Sequence, residues 1–194
     1  MLRTNNSNFA IFLLWVFLVS IGALVGCSLP GFLLIDFSDR DLDLMIFWTL
    51  LFAGLFIGLG QWIVINLRLK KTWYWIPATS IGYSFGGFVF FIFDFVGTRL
   101  LHLDMHYFSE YATLMATGMF TGVLQWLALK RKTATSLRWS LISGLSLLLG
   151  GIAIDFMINI NTYLADYFYI LVFGLAIGLF SGVFIKPLIL HPES

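Results

Sequence analysis

Charged residues are scarce in this chain. Only 11% of its 194 residues are Asp, Glu, Lys or Arg, whereas soluble globular domains carry about a quarter. Hydrophobic residues make up 60% and the mean hydropathy is +0.94, which excludes an ordinary soluble domain. We therefore expect a membrane protein in contact with lipid, and no nucleic-acid partner.

Reactive side chains are also few. The single cysteine, Cys27, excludes a disulfide within the chain. No Asp, Glu, Lys, Arg or His lies in the middle of a long hydrophobic stretch, and proton-coupled pumps and intramembrane proteases usually need such a group. These absences disfavour ion-coupled transport and catalysis, so we do not expect an enzyme, and no cofactor is indicated.

Long hydrophobic stretches, in contrast, are abundant. A bilayer core of about 30 Å needs roughly 20 apolar residues per helix. The sequence predicts six such spans, at residues 9–29, 44–67, 74–96, 110–129, 137–158 and 164–186. We expect an all-α, polytopic membrane protein that forms a single membrane domain over residues 1–194.

The first stretch is followed by Pro30 and Gly31. A Pro-Gly pair at this position predicts that the helix ends or kinks there. Residues 32–35 would then lie in the membrane interface.

The basic residues indicate the orientation. All of them except Arg40 and Arg99 fall on the side of the six-span arrangement that holds both chain termini, and most acidic residues fall on the other side. By the positive-inside bias, the side with the termini is cytoplasmic.

Two residue patterns recur along the predicted helices. The first consists of Trp15, Gly22 and Gly26, repeated as Trp75, Gly82 and Gly86 and as Trp139, Ser146 and Gly150. The second consists of Gly54, Gly58, Gln61 and Trp62, repeated as Gly118, Gly122, Gln125 and Trp126 and, with changes, as Gly174, Gly178, Ser181 and Gly182. Together they predict three two-helix hairpins, at residues 9–67, 74–129 and 137–186.

The spacing of these patterns predicts close helix packing. Positions i, i+7 and i+11 lie within about 20° of one line on an α-helix. The small residues therefore share one face, which lets helix backbones approach closely in lipid. We expect these faces to form helix–helix contacts; the alternative is that they line a pore or touch a ligand. The three hairpins would then surround a pseudo-threefold axis along the membrane normal.

Gln61 and Gln125 lie inside their predicted spans, where an unpaired amide is costly. We expect a structural clasp, either with the indole N–H groups of the tryptophans that lead the repeats or with backbone carbonyls across a glycine contact; a binding site is the alternative. Ser181 takes the place of the third glutamine, so the third hairpin should be less tightly clasped or open to a partner. The tryptophans concerned are Trp15, Trp75 and Trp139.

Each odd-numbered span is followed by an Asp-Phe pair, whose acidic members are Asp36, Asp94 and Asp155. They predict a polar stop at the membrane interface. The alternative is an acidic mouth that attracts cations or a basic partner.

One cluster has the composition of a metal site. His102, His106 and Glu110 are spaced so that a helix would place them on one face, and two histidines with a carboxylate can hold zinc. The segment lacks the HExxH spacing of zinc proteases. We expect an interfacial loop, with these three residues as weak metal-ligand candidates.

The GxxxGxxQWxxL element, followed by a basic loop and a Trp-led glycine helix, resembles a loosely defined set of uncharacterised bacterial multi-pass membrane proteins, cyanobacterial ones among them. The resemblance extends best over residues 50–151. It implies a bacterial cytoplasmic (inner) or internal photosynthetic membrane and carries no activity.

Two functions fit these observations best, and a membrane enzyme that uses the His102/His106 cluster is a third possibility. The first is an accessory, assembly or scaffold subunit of a larger membrane complex, with a membrane-protein partner and with lipid or pigment as a candidate ligand. The second is a small-solute transporter or channel along the pseudo-threefold axis, or the substrate-binding membrane component of an importer.

Overall fold

The computed structural model describes residues 3–33, 42–70, 72–96, 106–129, 138–160 and 166–190. These residues form six α-helices, in chain order α1 (Arg3–Leu33), α2 (Leu42–Asn66), α3 (Trp75–Asp94), α4 (His106–Leu129), α5 (Arg138–Ile160) and α6 (Asp166–Leu190). Every helix contains a segment that is long and apolar enough to cross a membrane. The prediction of an all-α protein with six candidate spans is confirmed.

The Pro-Gly pair predicts that the first helix either ends or kinks there, and the first of these two outcomes is wrong. Pro30 lies inside α1, which continues to Leu33. Proline removes one backbone N–H from the helical ladder but is compatible with a helical backbone. The Pro30 ring is almost fully buried, so packing against the neighbouring helices holds it in place.

The helices form a closed ring. Each helix packs against its neighbours in the chain, and α6 packs against α1. Neighbouring helices run antiparallel, because Gly26 lies against Ala53 near one end of the α1–α2 pair while Gly60 lies against Leu18 farther along it. We call the end where α1 begins and α6 ends the termini face, and the opposite end, where α1 leads into α2, the distal face.

Inside the ring, small residues and hydroxyl side chains lie beside a buried hydrophobic cluster, whereas many large apolar side chains are exposed on the outside. Glycines let the backbones touch: a Cβ on Gly22 would lie 2.7 Å from the Phe56 carbonyl oxygen. Hydroxyl side chains such as Thr79 and Thr121 are buried, whereas Phe17 and Phe88 are more than half exposed. This distribution suits a bundle surrounded by lipid, where apolar side chains need no burial.

Candidate functional site

Three tryptophans, Trp15, Trp75 and Trp139, meet inside the termini-face half of the ring. All three are buried, the least buried being 3% exposed. The ring centroid of Trp139 lies 6.4 Å from that of Trp15 and 6.1 Å from that of Trp75. These distances are within the range of favourable aromatic contacts, so α1, α3 and α5 are joined by one aromatic cluster, which we call the tryptophan layer.

Each tryptophan of this layer donates a hydrogen bond to the preceding even-numbered helix of the ring. The indole Nε1 of Trp75 donates to Gln61 Oε1 at 2.9 Å, and that of Trp139 donates to Gln125 Oε1 at 2.7 Å. The expected hydrogen bonds between the tryptophans and the glutamines are thus present. They link α3 to α2 and α5 to α4.

Ser181 makes the equivalent bond in the third copy. Trp15 Nε1 donates to Ser181 Oγ at 3.0 Å, and this hydroxyl in turn donates to the Ile177 carbonyl at 2.6 Å. The bond joins the first helix of the chain to the last. The shorter serine side chain therefore keeps the tryptophan contact that the pattern predicts for a glutamine.

The two glutamines also bind each other across the ring. Gln125 Nε2 donates to Gln61 Oε1 at 3.1 Å and to Thr79 Oγ1 at 2.8 Å. Both glutamines are at most 5% exposed. Sequence reasoning missed Thr79, although a hydroxyl one helical turn after the leading tryptophan of a repeat, on the same helix face, is a signal that was available.

A small pocket borders this network on the ring axis. Its volume is about 20 Å³. Its lining includes the two glutamines and Ser181, together with Thr121 and Ser146. The described residues that line the pocket are uncharged, and some are polar while others are apolar. The pocket lies on the distal side of the tryptophan layer.

A larger cavity of about 360 Å³ occupies the distal half of the ring. Residues from all six helices line it, and Tyr83 and Leu147 line both the cavity and the small pocket. Its walls are mainly apolar, with Phe90 and Phe173 among them. Sequence reasoning did not find this cavity, because its lining residues come from six separate helices.

Of the three predicted acidic positions, the structure describes one side chain. Asp155 is partly buried, lines the large cavity and accepts a hydrogen bond from the Tyr111 hydroxyl of α4. Asp94 ends α3, and its side chain lies outside the description, as does all of Asp36. Asp155 therefore lines a cavity. Its predicted role as a polar stop at the membrane interface stays a prediction.

The predicted metal-ligand candidates are largely outside the described part of the chain. His102 is not described, and His106 begins α4 without a described side chain. Glu110 is exposed and borders the large cavity. No group of three or more His, Cys, Asp and Glu side chains that could hold a metal ion occurs among the residues that the structure describes.

Two carboxyl side chains are among the described residues that line the large cavity, the exposed Glu110 and the partly buried Asp155. Thr113 Oγ1 is buried and has no hydrogen-bond partner among the described residues, and Thr113 lines the cavity. The arrangement suits noncovalent binding of a mainly apolar molecule. No protein-family model, no curated protein and no solved structure matches the chain.

Proposed function

We propose that this chain is a non-catalytic multi-pass membrane subunit that holds an apolar small molecule, of the lipid or pigment class, in the cavity at the distal half of its ring. The observation that carries the proposal is the 360 Å³ cavity lined by all six helices. Pockets for small molecules and cofactors typically measure about 300–1,000 Å³ and have mostly apolar walls. A bundle in which every helix contributes to the lining of such a space is suited to binding a ligand.

The lining chemistry favours an apolar body with a polar end. Leu50, Leu114 and Ile154 offer apolar contact, and Phe90 and Phe173 offer aromatic faces. Polar groups are few and lie at defined points. A lipid or a pigment combines these features, since both have a long apolar part and one polar group or end.

Polar contact is available at both ends of the cavity. Asp155 and Tyr111 lie toward the distal face, and Tyr83 lies toward the small pocket. The unpartnered hydroxyl of Thr113 belongs to the same wall. These groups would orient a ligand whose apolar part fills the space between them.

We base the proposed accessory role on ligand binding, and not on glycine faces as docking surfaces for a partner protein. The glycines of both sequence patterns are used at helix contacts within the ring; Gly178, for example, lies against Val16. A membrane-protein partner would meet large side chains such as Phe88 and Val183. We therefore propose that a partner complex receives or shares the bound molecule.

We propose further that the ring has pseudo-threefold symmetry, with hairpins at 9–67, 74–129 and 137–186. The repeated contact of an even-numbered helix with the next tryptophan supports this arrangement. The second glycine pattern supports it too, because its first member contacts the residue five positions after the leading tryptophan in each copy. These pairs are Gly54 with Ser80, Gly118 with Gly144, and Gly174 with Ser20.

The charge distribution supports a topology with both termini in the cytoplasm. The resemblance of the GxxxGxxQWxxL element supports a bacterial cytoplasmic (inner) or internal photosynthetic membrane. The cavity would then open toward the outer half of the bilayer. Ligands from the outer leaflet would have the shortest route to it.

The test is to purify the protein in mild detergent and to identify co-purifying small molecules by organic extraction, absorbance and mass spectrometry. Ile154→Trp places a large ring in the cavity wall, so the bound compound should be lost or strongly reduced. Ile152→Trp is the matched control, because Ile152 lies on the same helix and is 45% exposed on the outside. This variant should retain the compound.

Two results would contradict the proposal. One is a protein that carries no compound in stoichiometric amount when it is extracted from its native membrane. The other is equal loss, or equal retention, of the compound in the Ile154→Trp and Ile152→Trp proteins. Equal behaviour would assign the binding to the outer surface or to an effect on folding.

The second candidate function is passage of a small neutral solute along the ring axis. The observation in its favour is that Tyr83 and Leu147 line both the large cavity and the small pocket, so the two spaces adjoin on the axis. The tryptophan layer closes the route at its inner side. Stopped-flow light scattering of proteoliposomes exposed to a glycerol gradient tests it: faster swelling than protein-free liposomes, abolished by Leu147→Trp, would favour passage over retention.

A further inference from the structure

The small pocket on the ring axis stands at the place where the threefold pattern changes. Gln61, Gln125 and Ser181 occupy equivalent positions of the three repeats, and all three line the pocket. Serine lacks the amide group that the two glutamines carry. The pocket therefore adjoins the position from which a third amide is missing.

The amide nitrogen of Gln61 is the unused group of the network. Its Oε1 accepts hydrogen bonds from Trp75 Nε1 and Gln125 Nε2. An indole N–H is a donor only, so the carbonyl oxygen of Gln61 must face Trp75 and its Nε2 must point elsewhere. None of the hydrogen bonds formed among the described residues uses this Nε2.

This nitrogen is in a setting where a missing partner is costly. Gln61 is 5% exposed and lies within a candidate membrane span, where lipid supplies no hydrogen bonds. The same side chain lines the pocket. A hydrogen-bond acceptor in the pocket would satisfy it.

Acceptors for the protons of a bound molecule are also present in the lining of the pocket. Ser146 Oγ donates its own proton to the Ile142 carbonyl, and Thr121 Oγ1 donates its proton to the Thr117 carbonyl. Each hydroxyl oxygen therefore still has accepting capacity. Both side chains line the pocket.

We infer that this pocket binds one structural water molecule, which accepts a hydrogen bond from Gln61 Nε2 and donates to the hydroxyl oxygens of Ser146 and Thr121. A buried site needs about 10–15 Å³ and two to four polar partners to hold a water. The 20 Å³ of this pocket meets the first condition, and the three side chains meet the second. None of the described residues that line the pocket is Asp, Glu, Lys, Arg or His, so a neutral ligand is favoured over an ion.

The water takes the place of the third amide. It ties α2 to α4 and α5 on the side where Ser181 is too short to reach across the ring. The clasp is then two glutamines, one serine and one water. This inference does not depend on the proposed ligand of the larger cavity.

The experiment uses the fact that the chain contains two glutamines, Gln61 and Gln125. Protein labelled with ¹⁵N at the glutamine side-chain amides is reconstituted into lipid bilayers, and magnetisation transfer from water to the two amide groups is measured by solid-state NMR at short mixing times. Gln125 is the internal control, because its amide nitrogen already donates to Gln61 and Thr79. We expect transfer to Gln61 to be several-fold faster than transfer to Gln125.

Equal transfer to the two amides overturns the inference, whether both rates are slow, as in a dry pocket, or both fast, as with free entry of solvent. A pair of variants tests the position of the water. Ser146→Ala removes an acceptor from the pocket and should slow transfer to Gln61 several-fold. Ser140→Ala removes a similarly buried hydroxyl that bonds to Met119 and does not line the pocket, and it should leave transfer to Gln61 unchanged. Slower transfer in Ser140→Ala than in Ser146→Ala would also overturn the inference.

Discussion

Trp15 and Ser181, which are 166 positions apart in the chain, are joined by a hydrogen bond of 3.0 Å from the indole Nε1 to the serine Oγ. The bond connects the first helix to the last at the level where Gln61 and Gln125 bind their own tryptophans. It adds the α1–α6 pair to the hydrogen-bonded pairs α2–α3 and α4–α5, and the Trp15–Trp139 ring contact links it to them. The repeat in which Ser181 replaces the glutamine is thus the one that joins the first helix to the last.

Replacing Gln125 should destabilise the protein more than replacing Ser181. Gln125→Leu leaves the buried indole N–H of Trp139 without its acceptor and removes one hydrogen bond each from Gln61 and Thr79, so we expect a loss of about 2–4 kcal/mol in the free energy of unfolding. Ser181→Ala removes the acceptor of Trp15 and should cost about 1 kcal/mol. Unfolding titrations in mixed micelles measure both values; a larger loss in Ser181→Ala would contradict this ranking.

Closure of the ring predicts a specific cross-link between α1 and α6. A Cβ on Gly174 would lie 2.9 Å from the Ala23 Cβ and 2.8 Å from the Ser20 Cα, so α1 and α6 must separate slightly to admit it. The two Cβ atoms then reach the roughly 3.5–4.5 Å of a disulfide, and Ala23→Cys with Gly174→Cys should form one on mild oxidation in a Cys27→Ala background. Cleavage at methionines then leaves the fragment before Met45 joined to the fragment after Met157. Ala23→Cys with Leu175→Cys is the control, because Leu175 is 38% exposed on the outside. Equal cross-linking of both pairs would argue against the closed ring.

Glycine-to-alanine substitutions should separate packing glycines from tolerant ones. A Cβ at Gly26 would lie 2.5 Å from the Ala53 Cα, a backbone atom that cannot yield, so Gly26→Ala should lower the free energy of unfolding by about 1–3 kcal/mol. At Gly87 the nearest atom is the tip of Leu50 at 3.3 Å. Gly87→Ala should stay within about 1 kcal/mol of the wild type or gain stability through helix propensity. Thermal unfolding in detergent measures the stability of both variants. Equal losses in Gly26→Ala and Gly87→Ala would contradict the assigned contacts.

The Tyr111–Asp155 contact should couple α4 to α5. A hydrogen bond to a charged group contributes about 1.5–3 kcal/mol, and less when partly exposed, so we expect Tyr111→Phe to cost about 1 kcal/mol. In a double-mutant cycle, Asp155→Leu should add little once Tyr111 is changed. Strict additivity of the two losses would show that the contact contributes nothing to stability.

The orientation predicted from charge can be tested with C-terminal fusions expressed in bacteria. Because basic residues accumulate on the side of the termini, a C-terminal green fluorescent protein should fluoresce and a C-terminal alkaline phosphatase should be inactive. The opposite pair of results would invert the topology. The distal cavity would then face the cytoplasm.

Composition and periodicity were sufficient to predict the six spans. Hydrophobic length is a local property, and lipid imposes it on each helix separately. The partners of the two glutamines were also predictable, because an amide inside a span needs a hydrogen bond and a tryptophan recurs at similar depth. The course of α1 past Pro30 was not, since burial of the proline ring depends on neighbouring helices.

The sequence by itself determined a six-span membrane protein, the helix faces that carry small residues, and the three tryptophans with their matching polar positions. Only the tertiary structure decided that α6 closes on α1, that Thr79 joins the two glutamines, and that Tyr83 and Leu147 separate a large cavity from a small pocket. The physical reason is the range of the interactions. Spans and faces follow from residues a few positions apart, whereas a cavity is the space left between six helices and exists only once all of them are packed.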